Sequence, residues 1–204
     1  MSTSSAPEGV RDPFWAPASV VGLTGFGMTT MLAGAAIASN GANWGVTNAA
    51  VFPMAMAFGG TAQFVAGVIM MRRGEIFPGS AFMGFGAFWW AFTLLASGLI
   101  SGSLGPGGAY NVMWFMIVWG MFAFSFAINS HYHGPAIMFV FWVLVLAFIL
   151  LAIDYGMLGA GKVPSQGLWE ATGIVTFLTG AAAWYAATAT LTAAHHGGKK
   201  VLPY

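Results

Sequence analysis

The chain has no cysteine and almost no charge: only 5% of its 204 residues are Asp, Glu, Lys or Arg. Absence of cysteine removes disulfides, thiolate metal sites and cysteine nucleophiles together. Six basic residues against five acidic ones leave a formal charge of +1. No basic stripe exists to neutralise phosphates, which excludes a nucleic-acid footprint. No nucleophile elbow, zinc-protease helix, phosphate-binding loop or dinucleotide fingerprint occurs, so the sequence carries no recognisable catalytic arrangement or cofactor site. Met1 to Trp15 is polar and lacks the apolar run of a cleavable signal peptide.

What is present is apolar. Hydrophobic residues make up 58% of the chain, whereas soluble domains carry about 25% charged residues. No ionisable residue occurs between Asp12 and Arg72, and from Ile76 to Ile153 the only ones, tyrosines aside, are His131 and His133. Each gap holds two or more spans of about 20 residues, the length that crosses a bilayer core. The pattern predicts an all-α membrane protein with six spans, at about 19–39, 47–71, 77–100, 110–128, 136–153 and 168–194. These divide the chain into an N-terminal segment (1–18), a six-helix transmembrane unit (19–194) and a polar tail (195–204).

Basic residues near span ends set the orientation. Cytoplasmic termini place Arg11, Arg72, Arg73, Lys199 and Lys200 inside and leave only Lys162 outside. Phe14 and Trp15 then fall at the inner interface as an aromatic anchor.

Coupled transporters usually hold an ionisable side chain within a span. None is expected deep in these spans; Asp154 and Glu170 are placed near the outer ends of spans five and six, within reach of water. Hydroxyls such as Thr24, Thr29, Thr30, Thr93, Ser125, Thr176 and Thr179 bond back to their own helix in the simplest reading. Gln63 is different, because an amide in hydrocarbon needs several partners and points to an interhelical or pore-lining role. His131, His133, His195 and His196 match no zinc-ligand spacing and read as solvated loop and tail histidines, not a metal site.

A Gly-Phe-Gly triplet occurs twice, at Gly25-Phe26-Gly27 and Gly84-Phe85-Gly86. Six spans with both ends inside make spans one and three run in the same direction. Each triplet lies roughly 9 to 14 Å from the cytoplasmic start of its span at 1.5 Å per residue. Glycine beside an aromatic ring suits close helix packing around a narrow passage.

The string Gly22-Leu23-Thr24-Gly25-Phe26-Gly27-Met28-Thr29-Thr30 resembles the first-helix motif of the acetate uptake transporter family, the succinate-acetate permeases. Gly59-Gly60-Thr61-Ala62-Gln63-Phe64-Val65-Ala66-Gly67 is similar to that family's second helix. Arg72-Arg73-Gly74, then Ala81 to Trp89, is similar to its loop and third helix. The matches are in order and cover the first 90 residues or so of the chain. Two departures bear on the substrate. Pro17-Ala18-Ser19-Val20-Val21 replaces the family's Asn-Pro-Ala-Pro-Leu, and a tyrosine usual in the third helix is Phe85 here.

The resemblance implies a six-helix bundle with a passage through each protomer, assembled as a ring-shaped homo-oligomer, often a hexamer, in the cell membrane. It implies a hydrophobic constriction formed by Phe26, Phe85 and Leu144, and a substrate pathway that includes Gly22, Gly25, Thr29, Thr30, Gln63 and Ala183. The substrate it implies is acetate or a similar small monocarboxylate, or succinate, crossing by an anion channel or with a proton. A small neutral-solute channel of the urea type and a non-conducting structural membrane protein remain the alternatives.

Overall fold

The computed structural model describes residues 16–41, 49–105 and 107–203. Arg11, the Phe14–Trp15 anchor, Ala42 and Asn43 of the first turn and the expected span start at Thr47 lie outside the described residues. Among the described residues every regular element is helical. Six helices are long and apolar enough to span a bilayer: α1 Ser19–Asn40, α2 Val51–Arg72, α3 Ile76–Ile100, α4 Gly108–Tyr132, α5 Pro135–Gly159 and α6 Gln166–His195. The chain is a multi-pass membrane protein.

Local chemistry sets several of the helix ends. Gly134 takes φ 94°, a left-handed value that lets the chain turn sharply, and Pro135 opens α5 at a position where its missing N–H costs nothing. The Ser165 hydroxyl caps α6 by accepting from the Leu168 N–H at 3.2 Å. Between α2 and α3 the turn is closed by Gly74 at φ 76° and by an Arg73–Glu75 ion pair of 2.9 Å.

Packing runs around a ring. α1 lies on α2, α2 on α3, α3 on α4, α4 on α5 and α5 on α6, and an extensive α1–α6 contact closes it. Alternate helices run the same way, so the starts of α1, α3 and α5 share one side with both described chain ends. The interior holds one large cluster of buried apolar side chains drawn from all six helices and a small second one of Ala66, Met70 and Phe82 between α2 and α3.

Without a hydrophobic drive between helices in lipid, close backbone approach supplies the packing energy. At the α1–α6 seam a Cβ on Gly27 would lie 2.8 Å from the Gly180 carbonyl oxygen, and one on Gly180 would lie 2.5 Å from that of Gly27. One helical stretch further on, Gly34 faces Gly173 and Phe177 in the same way. Hydroxyls within the bundle mostly bond back four residues, as expected: Thr24 to Val20, Thr30 to Phe26, Thr93 to Trp89, Thr176 to Thr172 and Thr179 to Val175, all between 2.6 and 2.9 Å.

Two expectations are corrected. α4 runs over 108–132 where hydropathy reads 110–128, α5 over 135–159 where it reads 136–153, and α6 over 166–195 where it reads 168–194, while α2 begins at Val51. The larger correction concerns Asp154. It does not end its span in reach of water; α5 continues through it to Gly159, and the residue is fully buried. Its carboxylate finds a donor on α6, the Thr172 hydroxyl at 2.6 Å, which supports it inside the bundle. Glu170 is exposed.

Gly180→Leu should prevent the α1–α6 approach, since overpacking alone costs about 1–3 kcal/mol and here the obstacle is backbone. Thermal unfolding followed by size-exclusion in detergent should show a large loss. Gly167→Ala, with nothing within 4 Å, should behave as the parent protein.

Candidate functional site

Two cavities follow one another along the inside of the ring. The first, of about 190 Å³, opens on the side of the chain ends and is lined by residues that include Ser19, Leu23, Gln63, Phe77, His133, Ile137, Phe141 and Thr190. The second, of about 40 Å³, lies beyond it and is lined by residues that include Thr30, Phe88, Trp89, Phe92, Leu144, Phe148, Leu151, Tyr155 and Thr176. Among the described residues, only Phe26 and Phe85 line both. Their ring centroids stand 5.5 Å apart, tilted by 57°, and both side chains are buried.

The triplets explain how two phenylalanines reach this point. Successive helical residues point about 100° apart. Gly25 faces α2, where a Cβ would meet the Phe58 carbonyl at 2.8 Å, and Gly27 faces α6. Phe26, between them, is directed to the centre. In α3, Gly86 faces α2 against Phe64, Gly84 faces α4 against the Phe122 ring, and Phe85 again points between them. Phe85 is then held by surrounding rings: Phe122 at 5.2 Å, Phe141 at 6.2 Å and Trp119 at 6.3 Å. Edge-to-face and tilted pairs of this kind each add about 0.5–1.5 kcal/mol to burial. Leu144, from α5, lines the second cavity in the same buried cluster.

Gln63 sits at the termination of an unusual stretch. Ala55–Ala62 of α2 is π-helical, a wide turn that carries an extra residue. Trp90 of α3 supports it, with its Nε1–H at 3.3 Å from both the Met56 carbonyl and the Thr61 hydroxyl. Gly60 leaves room for that indole and Gly59 for the Thr29 side chain. Gln63 follows immediately, is fully buried, lines the first cavity, and has neither carboxamide atom hydrogen-bonded. A buried unpaired amide costs about 1–3 kcal/mol, a cost that packing alone does not offset, and its polar atoms are free to meet a solute.

The other residues read from the sequence divide clearly. Thr30 lines the second cavity, but its hydroxyl is spent on the Phe26 carbonyl at 2.7 Å. Thr29 is buried against Gly59 with its hydroxyl unpartnered and lines neither cavity. Gly22 seats the Phe82 ring, and Gly25 seats α2. Ala183 is buried in the core, one helical turn from Ala186, which does line the first cavity. Gly22, Gly25 and Ala183 thus shape the walls behind the cavities.

His133 was expected as a solvated loop histidine; it is exposed, but its ring stacks on Phe77 at 3.9 Å and forms part of the first cavity's rim. Its place directly before Gly134-Pro135, at the start of α5, is the signal that brings it there. Partial burial disfavours the imidazolium and lowers its pKa below 6.5. The Trp142 indole Nε1–H donates to His131 Nε2 at 3.3 Å. Among the described residues no group of His, Asp and Glu is arranged to hold a metal.

A group whose proton affinity falls on folding lends stability at high pH that is lost as pH drops below its unfolded value. His133 should therefore titrate below 6.5 by NMR, and Phe77→Ala should move it upward. An unchanged titration in that variant would separate the stacking from the shift.

Comparison with known proteins gives a consistent picture. The model of the GPR1/FUN34/yaaH family matches residues 6–197. A protein of Methanothermobacter thermautotrophicus described as uncharacterised is 30% identical over 194 residues, covering 90% of this chain and 88% of that protein. The succinate-acetate/proton symporter SatP of Escherichia coli K12 is 32% identical over 136 residues, covering 65% of this chain and 69% of that one. The structure of the bacterial acetate channel SatP superposes with a TM-score of 0.78 at 28% identity, covering 92% of this chain and 98% of that one. With the family model spanning nearly the whole chain, this six-helix protein belongs to the GPR1/FUN34/yaaH family.

Proposed function

We propose that the protein carries acetate, or a similarly small monocarboxylate, across the cell membrane through the line of the two cavities. The observation that carries this reading is their meeting at Phe26 and Phe85 in a chain whose relatives include a succinate-acetate/proton symporter and an acetate channel. Phe26, Phe85 and Leu144 act as the constriction, residues 19–194 as the conducting unit, and the protomers associate as a ring. Positive-inside bias puts the first cavity on the cytoplasmic side: Arg72, Arg73, Lys199 and Lys200 lie at that end and Lys162 at the other.

An apolar ring at one depth excludes hydrated ions by dewetting while passing a small, partly apolar solute. The free acid suits such a ring better than the anion, which would need its charge stabilised in a medium of low dielectric. Gln63 complements this form: its Nε2–H donates to the acid's carbonyl oxygen while Oε1 accepts from the acid's O–H. Phe85 offers no hydroxyl at the constriction, which favours the neutral, more apolar partner. Gly22, Gly25, Thr29 and Ala183 set the width of the passage from behind, and Thr30 lines it beyond the constriction.

Proteoliposomes containing the protein should take up labelled acetate well above empty liposomes. Gln63→Leu should weaken apparent affinity by about tenfold, the loss of two hydrogen bonds worth roughly 1.4 kcal/mol together. Phe26→Ala should lower acetate uptake, and Leu144→Ala should shift selectivity toward larger acids. Acetate flux equal to that of empty liposomes, with urea passing instead, would replace this reading by the neutral-solute channel.

A further inference from the structure

The stripe of α5 that lines the passage does not stop at the second cavity. Ile137 and Val140 line the first cavity, and Leu144, Ala147 and Leu151 the second. Spaced by three and four residues, they occupy one helical face, and the next position on it is Asp154. α6 repeats the pattern. Thr190 and Ala186 line the first cavity and Thr176 the second, and the next residue along that face is Thr172. The two stripes converge where the Thr172 hydroxyl donates to Asp154 Oδ2 at 2.6 Å. This pair lies one helical turn beyond Leu151 and Thr176 of the second cavity, on the side opposite the chain termini, about 15 Å along α5 from Leu144 at 1.5 Å per residue.

Asp154 is fully buried, and its Oδ1 has no hydrogen-bond partner. The indole Nε1–H of Trp169, one turn before Thr172 on α6, is likewise buried and unpartnered. Trp169 packs edge-on against Tyr155 at 6.0 Å, and Tyr155 lines the second cavity. No cation is paired with Asp154 among the described residues. On the helices packed against α5, the other titratable groups near this end are Tyr110 of α4, whose ring covers Gly159, and Glu170 of α6, exposed and bonded to Gln166 at 3.1 Å. His131 and His133 lie at the opposite end of α5. An acidic side chain within a span, without a cation partner and in line with a passage, is a functional group by default.

We propose that Asp154 is a proton-binding site at the outer end of the passage, which protonates the incoming carboxylate. The carboxyl carries its proton on Oδ1 while Oδ2 keeps the Thr172 hydrogen bond. When a substrate carboxylate arrives, the Oδ1–H bond breaks and an O–H bond forms on the substrate. Its electron pair stays on Asp154, and the neutral acid moves on to the Phe26–Phe85 constriction. Water on the outer side then returns a proton to Oδ1. This inference rests on the carboxylate-transport reading and adds to it the group that loads the proton. Thr172 is a positioning residue, which fixes which oxygen is free.

The test compares the parent protein with Asp154→Asn and Thr172→Val in proteoliposomes. Labelled acetate uptake is measured with and without a potassium-valinomycin membrane potential. Infrared spectra record the C=O stretch of a protonated carboxyl between about pH 5 and pH 9. The parent should transport electroneutrally and show a carboxyl band that titrates. Asp154→Asn, which preserves shape and a hydrogen bond to Thr172, should lose that band. Its acetate uptake should fall by about tenfold or more, or become driven by the potential. Thr172→Val should retain the band but move its titration. Uptake in Asp154→Asn at the parent rate and equally indifferent to potential would overturn the proposal and leave a structural clasp. If Asp154→Asn does not assemble, the parent's spectrum decides: no titrating carboxyl band overturns it. Absence of acetate flux in the parent would instead sink the transport reading, while a band lost in Asp154→Asn would still locate the proton.

Discussion

The bare backbone contact between α1 and α6 is the constraint on which the rest of the structure depends. Gly27 meets Gly180, and Gly34 meets Gly173, with no side chain between them. In lipid, apolar surface gains little by leaving one apolar neighbour for another, so helix association relies on close packing. This seam closes the ring of helices, and a closed ring is what gives the bundle an inside. It also fixes the rotation of α1 about its own axis. With Gly25 committed to α2 and Gly27 to α6, Phe26 has one direction left, toward the axis.

The same economy governs polar groups. Most threonine hydroxyls in the bundle, Thr24, Thr30, Thr93, Thr176 and Thr179 among them, are satisfied by a carbonyl four residues earlier in their own helix, which leaves much of the interior electrically quiet. Against that background a few atoms stand apart. Gln63 follows a π-helical stretch stabilised by Trp90 and keeps its whole carboxamide unpaired beside the first cavity. Asp154 keeps one oxygen unpaired at the other end. A chain that removes nearly all charge from its spans and still buries these two groups has placed its polarity at the two ends of one apolar constriction. That distribution fits a small acid moving as a neutral species.

Much of this was legible in the sequence. Long uncharged stretches gave the number of spans, and the repeated Gly-Phe-Gly placed Phe26 and Phe85 on helices running the same way. Gln63 drew attention because an amide in hydrocarbon is expensive. What was illegible came from contacts between distant residues. Hydropathy ended α5 at Asp154 because it counts a carboxylate as solvent-bound; it has no knowledge of a threonine on α6 waiting to donate. His133 read as a loop residue because nothing local reveals that its ring lies on Phe77 at the cavity rim. The glycines were visible as packing residues, but not which helix each one faces, and that facing is what separates Gly22, Gly25 and Ala183 from the cavity surface.

The central claim is that solute passes along the line of the two cavities, and the chain's lack of cysteine makes it directly measurable. Single cysteines at Thr190, in the first cavity, and at Thr176, in the second, can be treated with a charged, membrane-impermeant thiol reagent from either side. A further cysteine at Leu94, 71% exposed on the outer surface of the bundle, serves as reference. The account predicts that modification at Thr190 or Thr176 blocks acetate uptake, Thr190 reacting from the side of the chain termini and Thr176 from the other. Modification at Leu94 should leave uptake intact. Full labelling of both cavity positions with undiminished uptake would contradict the account.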